Sequence, residues 1–156
     1  MRISEIMMKD VYCCRPSDSL AEAGRIMWEH DCGSVPIVDD NGAPVGMLTD
    51  RDLAMATYLN GRCPSEIRVD SVMSRTLFSC APEDTVETAE AVMRNRQVRR
   101  LPVISDGKLV GLLSMNDLIR AANEKKLRRE VRVEDVETTL AAICQPRVPV
   151  PAPLAS

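Results

Sequence analysis

Two short stretches carry the residues best spaced for chemistry. They are Gly46-Met47-Leu48-Thr49-Asp50-Arg51-Asp52 and Gly111-Leu112-Leu113-Ser114-Met115-Asn116-Asp117. Each sets a glycine before two apolar residues, then a hydroxyl (Thr49, Ser114), then an aspartate three positions on (Asp52, Asp117). A hydroxyl followed three residues later by an acid is a capping box, which satisfies the free N–H groups at a helix start. The same geometry serves a ligand. Free N–H groups and a hydroxyl at a helix N-terminus attract phosphate, and a carboxylate there can accept both hydroxyls of a ribose. Phosphate together with ribose means a nucleotide.

Catalysis is not expected from these residues. Asp50 and Asp52 are too close along a helix start to share a face as an acid–base pair, and no nucleophile or ligand set accompanies them. His30 is the single histidine, so neither a metal site nor a Ser–His or Cys–His pair is expected. The six cysteines lack the CxxC spacing of a zinc site and a secretory context, and read as reduced, half-buried hydrophobes. Adjacent Cys13 and Cys14 leave a redox-sensing alternative open.

The elements that position the two stretches come from a duplication. Pro16, Asp18, Ala23, Met27 and Pro36 fall on Pro82, Asp84, Ala89, Met93 and Pro102, all 66 positions apart. After one deletion, Gly42, Val45, Gly46, Leu48, Asp52 and Leu53 fall on Gly107, Val110, Gly111, Leu113, Asp117 and Leu118, 65 apart. Each copy is one supersecondary module that cannot close its core alone. In the first, Leu20, Ala23 and Met27 recur at helical spacing behind Ser19 and Glu22, which predicts a helix over about 18–31. Val86, Ala89 and Met93 repeat it, with Asp84 and Glu87 at the start. Two apolar runs follow in each copy, Val35 to Val38 and Val45 to Leu48, then Leu101 to Ile104 and Leu109 to Leu113, joined by turn residues as hairpins. A second helix begins near Asp50 and near Asn116. A short strand before each first helix, Val11 to Cys14 and Leu77 to Cys80, completes a β-α-β-β-α unit. The division expected is 1–62 for the first copy, 63–124 for the second, a C-terminal helix over 125–144 and a flexible proline-rich tail over 145–156.

Composition bounds the partners. The chain has 156 residues, 45% of them hydrophobic but only 3% aromatic, and a net charge of −3. An aliphatic, methionine-rich core suits layered α/β packing. Without a basic excess, nucleic acid and anionic membranes have no electrostatic purchase, and the run Lys125 to Arg129 reads as a solvated helix face between Glu124 and Glu130. No apolar run is long enough to span a membrane and the charged N-terminus is not a signal peptide, so a cytoplasmic location is expected.

The ordered, duplicated G-h-h-[ST]-x-x-D stretches resemble those of CBS domains, the cystathionine β-synthase type regulatory module. The likeness extends to the strand starts Ser34-Val35-Pro36-Ile37-Val38 and Arg100-Leu101-Pro102-Val103-Ile104, and to a short lead-in helix around Ile6-Met7 and Val72-Met73. It covers about residues 1–124. The resemblance implies an α/β (α+β) fold of two repeats with pseudo-twofold symmetry, and two clefts that bind AMP, ADP or ATP as a regulatory ligand, with no cofactor required. It implies a cleft A of Thr49, Arg51 and Asp52 with Phe78, Ser79, Arg99, Arg100, Leu101 and Pro102. Cleft B would hold Ser114, Asn116 and Asp117 with Tyr12, Cys13, Gly33, Ser34, Val35 and Pro36. Three arginines in cleft A against a glycine, a serine and an asparagine in cleft B predict that A is the tighter, phosphate-binding site. The partners expected are an adenosine-type molecule, a second copy of the chain and a regulated protein. The alternative is a non-catalytic dimerisation platform with vestigial clefts.

Overall fold

The protein is described from a computed structural model, over residues 1–124 and 131–146. The basic run 125–129 and the tail beyond residue 146, both anticipated above, lie outside the described residues.

The first copy runs α1 (Leu20–Glu29), β1 (Ser34–Val38), β2 (Pro44–Thr49) and α2 (Asp50–Asn60). The second runs α3 (Val86–Arg96), β3 (Arg100–Ser105), β4 (Lys108–Ser114) and α4 (Met115–Asn123), followed by α5 (Val133–Ile143). Ser19 caps α1 by accepting from Glu22 N, but the Glu22 carboxylate turns to Arg25, so only half of the anticipated box forms. In the second copy the cap is Thr85, which accepts from Thr88 N, while Asp84 closes the preceding turn on Ala81 N. α1 buries Leu20, Ala23, Ile26 and Met27, the stripe its periodicity marks out.

β1 pairs antiparallel with β2, and β3 with β4. The expected strands before α1 and α3 shrink to single parallel bridges, Cys14 on Ile37 and Cys80 on Val103. Proline explains why. Cys14 N donates to Pro36 O at 3.1 Å and Val38 N donates to Cys14 O at 2.9 Å. Extending that ladder one step needs an N–H from Pro36 in one direction and from Pro16 in the other, and neither has one. Pro102 and Pro82 confine Cys80 in the same way.

The two cores interlock. Ile67, Val69 and Met73 pack into the core of the first copy, whereas Ile3 packs into that of the second. Backbone bonds repeat the exchange: Leu20 N to Ile67 O and Val69 N to Asp18 O on one side, Val86 N to Met1 O and Ile3 N to Asp84 O on the other. The lead-in turns are 3-10 helices at Ile3–Glu5 and Val69–Ser71, a few residues earlier than the sequence places them. Beyond them, Met8 bridges Leu112 and Ser74 bridges Met47. This close pairing accounts for the two motif glycines. A Cβ on Gly46 would lie 2.7 Å from Met73 Sδ and 2.9 Å from Ser74 O, and one on Gly111 would lie 2.6 Å from Met7 Sδ and 3.0 Å from Met8 O. α5 then covers α3 and α4, adding Val131, Val136 and Ile143 to the second core.

Candidate functional site

Thr49 and Ser114 end their strands in extended conformation, φ −114° and −124°, and cap α2 and α4. Each hydroxyl accepts from the N–H three residues on, Asp52 N at 3.2 Å and Asp117 N at 3.4 Å. In return, Oδ2 of each aspartate accepts the backbone N–H and the hydroxyl of its cap residue. The distances are 2.9 and 2.7 Å at Asp52, and 2.8 and 2.5 Å at Asp117. The capping box therefore forms in both copies and occupies Oδ2.

The copies differ at Oδ1. Asp117 is buried and its Oδ1 accepts from Arg120. Asp52 is half-buried, and no residue among those described donates to its Oδ1. One carboxylate is engaged at both oxygens; the other belongs to a residue lining a cavity and has one oxygen with no donor among the described residues.

That cavity is cleft A, about 1000 Å³, bounded by Thr49, Asp50, Arg51 and Asp52 on one side and Phe78, Arg99, Arg100 and Pro102 on the other. Cleft B is smaller, about 440 Å³, and brings Tyr12, Gly33 and Ser34 together with Ser114, Asn116 and Asp117. Five anticipated residues do not line either cavity. Leu101 and Val35 alternate inward and are fully buried in the cores, and Pro36 is buried beside Val35. Ser79 is exposed away from cleft A, and the Cys13 thiol turns to Val11 O at 3.6 Å.

The expectation that the arginines belong to cleft A alone needs correction. Arg99 and Arg100 line both cavities, as Ser34 does, because the starts of β1 and β3 lie between them. The Arg100 guanidinium reaches to within 3.3 Å of where a Gly33 side chain would begin. Cleft A adds Arg51 and Arg96; cleft B adds Arg120, which is tied to Asp117.

Arg96 was missed from the sequence although the repeat could have found it. Its guanidinium lies 4.9 Å above the Phe78 ring. Shifted by 66 positions, the same pair is His30 and Tyr12, stacked at 3.4 Å and 10° in cleft B. An aromatic ring from the segment before the first helix and a planar side chain from that helix's end, Arg96 or His30, thus flank each cleft. Gln97 and the last turn of α5, Ile143 to Gln145, also line cleft A and carried no sequence signal.

Cys13, Cys14 and Cys80 are set against thiolate chemistry. Burial raises the Cys13 thiol, and burial with Asp18 and Glu22 nearby pushes Cys14 up to about 12. Burial, with a contribution from Asp84, does the same at Cys80, also to about 12. Thiols so raised stay protonated and are poor nucleophiles. No group of three or more His, Cys, Asp or Glu able to hold a metal occurs among the described residues. Nor is any described helix long and apolar enough to cross a membrane.

Duplication, interlocked cores and paired clefts at strand-to-helix junctions define a tandem-module α/β protein. The CBS domain family model matches residues 3–58 and 69–124, and the chain belongs to that family. It is 36% identical over 116 residues to the CBS domain-containing protein YhcV of Bacillus subtilis, covering 74% of this chain and 81% of that one. Hypoxic response protein 1 of Mycobacterium tuberculosis is 31% identical over 142 residues, 91% of this chain and 93% of its own. The CBS domain pair of protein MJ0100, solved with 5-methylthioadenosine and S-adenosyl-L-methionine, superimposes with a TM-score of 0.70 at 25% identity, covering 77% of this chain and 94% of that one. CBS pair proteins are typically regulatory modules, some of them binding adenosine ligands, and those that stand alone are generally non-catalytic.

Proposed function

We propose that this chain is a regulatory sensor of an adenine nucleotide, AMP, ADP or ATP, which binds in cleft A and alters a protein partner. The observation that carries the reading is the open Oδ1 of Asp52. It sits beside the Thr49 cap in a cavity that also holds Arg51, Arg96, Arg99 and Arg100. The carboxylate suits a ribose, and the arginines and the α2 N-terminus suit phosphate. The adenosine ligands of the MJ0100 pair support the choice of base. Cleft B, smaller and with both Asp117 oxygens engaged, is the weaker site.

Isothermal titration with AMP, ADP and ATP tests this. Asp52→Ala abolishes or strongly weakens the principal binding event, while Asp117→Ala changes it little. Equal losses in the two variants overturn the inequality of the clefts. A thermal-shift panel tests binding itself, since a ligand at about 100 times its Kd adds about 2.7 kcal/mol of stability. No shift with any of the three favours the platform reading instead.

An exposed apolar face supports self-association in either case. Trp28 on α1 is 88% exposed, and Tyr58 and Leu59 on α2 are 79% and 77% exposed. We propose a homodimer that covers it.

A further inference from the structure

α5 has no counterpart in the first copy, and its far end lands in cleft A. Val136, Thr139 and Ile143 are buried beneath it, while its last turn walls the same cavity as Arg51, Arg96 and Arg99. The link is Gln97. Its side-chain amide donates to Ala142 O at 3.3 Å and to Gln145 O at 3.5 Å, two carbonyls at the end of the helix. Gln97 stands at φ 51°, a left-handed backbone that favours glycine, so its side chain is kept at a conformational cost.

We propose that α5 competes with phosphate for cleft A, so that an anionic ligand loosens the helix and the docked helix weakens the ligand. This rests on the reading of cleft A as a nucleotide site. The C-terminal end of a helix carries a partial negative charge, and here it shares a cavity with arginines. Those arginines favour the docked helix when the cavity holds no anion. A phosphate draws the same guanidinium groups and sets like charge against the helix end. Because the coupling is reciprocal, the docked helix weakens an anionic ligand by the factor that the ligand loosens α5, and weakening the Gln97 grip tightens the ligand by at most that factor. Charge interactions at a helix end correspond to a factor of about two to five.

Hydrogen–deuterium exchange on the full chain reads the helix directly. ATP accelerates exchange of the amides bonded within Leu140 to Cys144 about two- to fivefold, and adenosine, which lacks phosphate, does not. Gln97→Gly, which suits the left-handed backbone and so keeps the fold, tightens ATP relative to adenosine by up to about two- to fivefold by titration. ATP that binds through Asp52 yet leaves α5 exchange unchanged or slowed overturns the competition while sparing the nucleotide reading. An absence of binding heat with every nucleotide overturns both.

Discussion

Glu90 on α3 is 2% exposed and its Oε1 has no hydrogen-bond partner among the described residues. It lies under α5, where the neighbouring Arg94 is engaged with Thr139 Oγ1 at 2.7 Å and Asp135 brings a second negative charge. Burial raises its carboxyl to about 7 from an ordinary 4.5; Asp135 and Glu87 push the same way, and Arg94 opposes them. The folded state thus holds the proton more tightly than the unfolded chain. The contribution to stability is full below the ordinary value and is lost as pH rises from about 4.5 through about 7. At 1.36 kcal/mol per pH unit, the loss over the whole titration is about 3 kcal/mol, most of it between about pH 5 and about pH 8. Urea unfolding at those two pH values, for wild type and Glu90→Gln, measures it. The amide cannot ionise, so the wild type must lose about 2–3 kcal/mol more than the variant on going to the higher pH. Any constant offset from the extra N–H group cancels in that difference. Parallel pH profiles refute the reasoning, because they mean that Glu90 is ionised or solvated throughout.

Three further outcomes follow from the packing. Gly46→Ala and Gly111→Ala each drive a Cβ into a backbone oxygen and lower stability by about 1–3 kcal/mol. Gly42→Ala, with nothing within 4 Å but a φ of 81°, costs only about 1 kcal/mol, so the reverse order in urea midpoints would contradict the close approach. Leu59→Glu converts a dimer to a monomer in light scattering; a dimer that survives with Tyr58→Glu added does not use this face. Thiol titration of the native protein modifies exposed Cys63 and Cys144 rapidly and Cys14 and Cys80 slowly, and rapid modification of Cys14 would revive oxidant sensing.

The duplicated helices and hairpins were legible because their apolar periodicity is local, and the caps at Thr49 and Ser114 because hydroxyl and acid lie one turn apart. The failures share one cause. Whether Val11 to Cys14 becomes a strand depends on prolines 16 and 36 in the ladder, a pairing that appears only once the partner is known. The interlocking of the cores, which explains Gly46 and Gly111, joins segments about 30 to 100 positions apart. The family resemblance places Arg99 and Arg100 in one cleft, yet their position between the clefts puts them in both. Nothing in the sequence of α5 says that it ends beside Arg96.

The divergence between the copies is concentrated where α5 sits, and this bears on assembly. At equivalent repeat positions, Gly24 and Trp28 of α1 correspond to Glu90 and Arg94 of α3. Gly24 lets Leu53 come within 3.2 Å of its absent Cβ, so that α1 and α2 close on each other and leave Trp28 outside. On α3, Glu90 is buried and Arg94 donates to Thr139 of α5. The second copy therefore has its helical face covered by its own chain, with polar residues that answer α5. The equivalent face of the first copy is apolar and bare. No described residue covers it, and because α5 occupies the second face, the first is the one we propose meets a second copy.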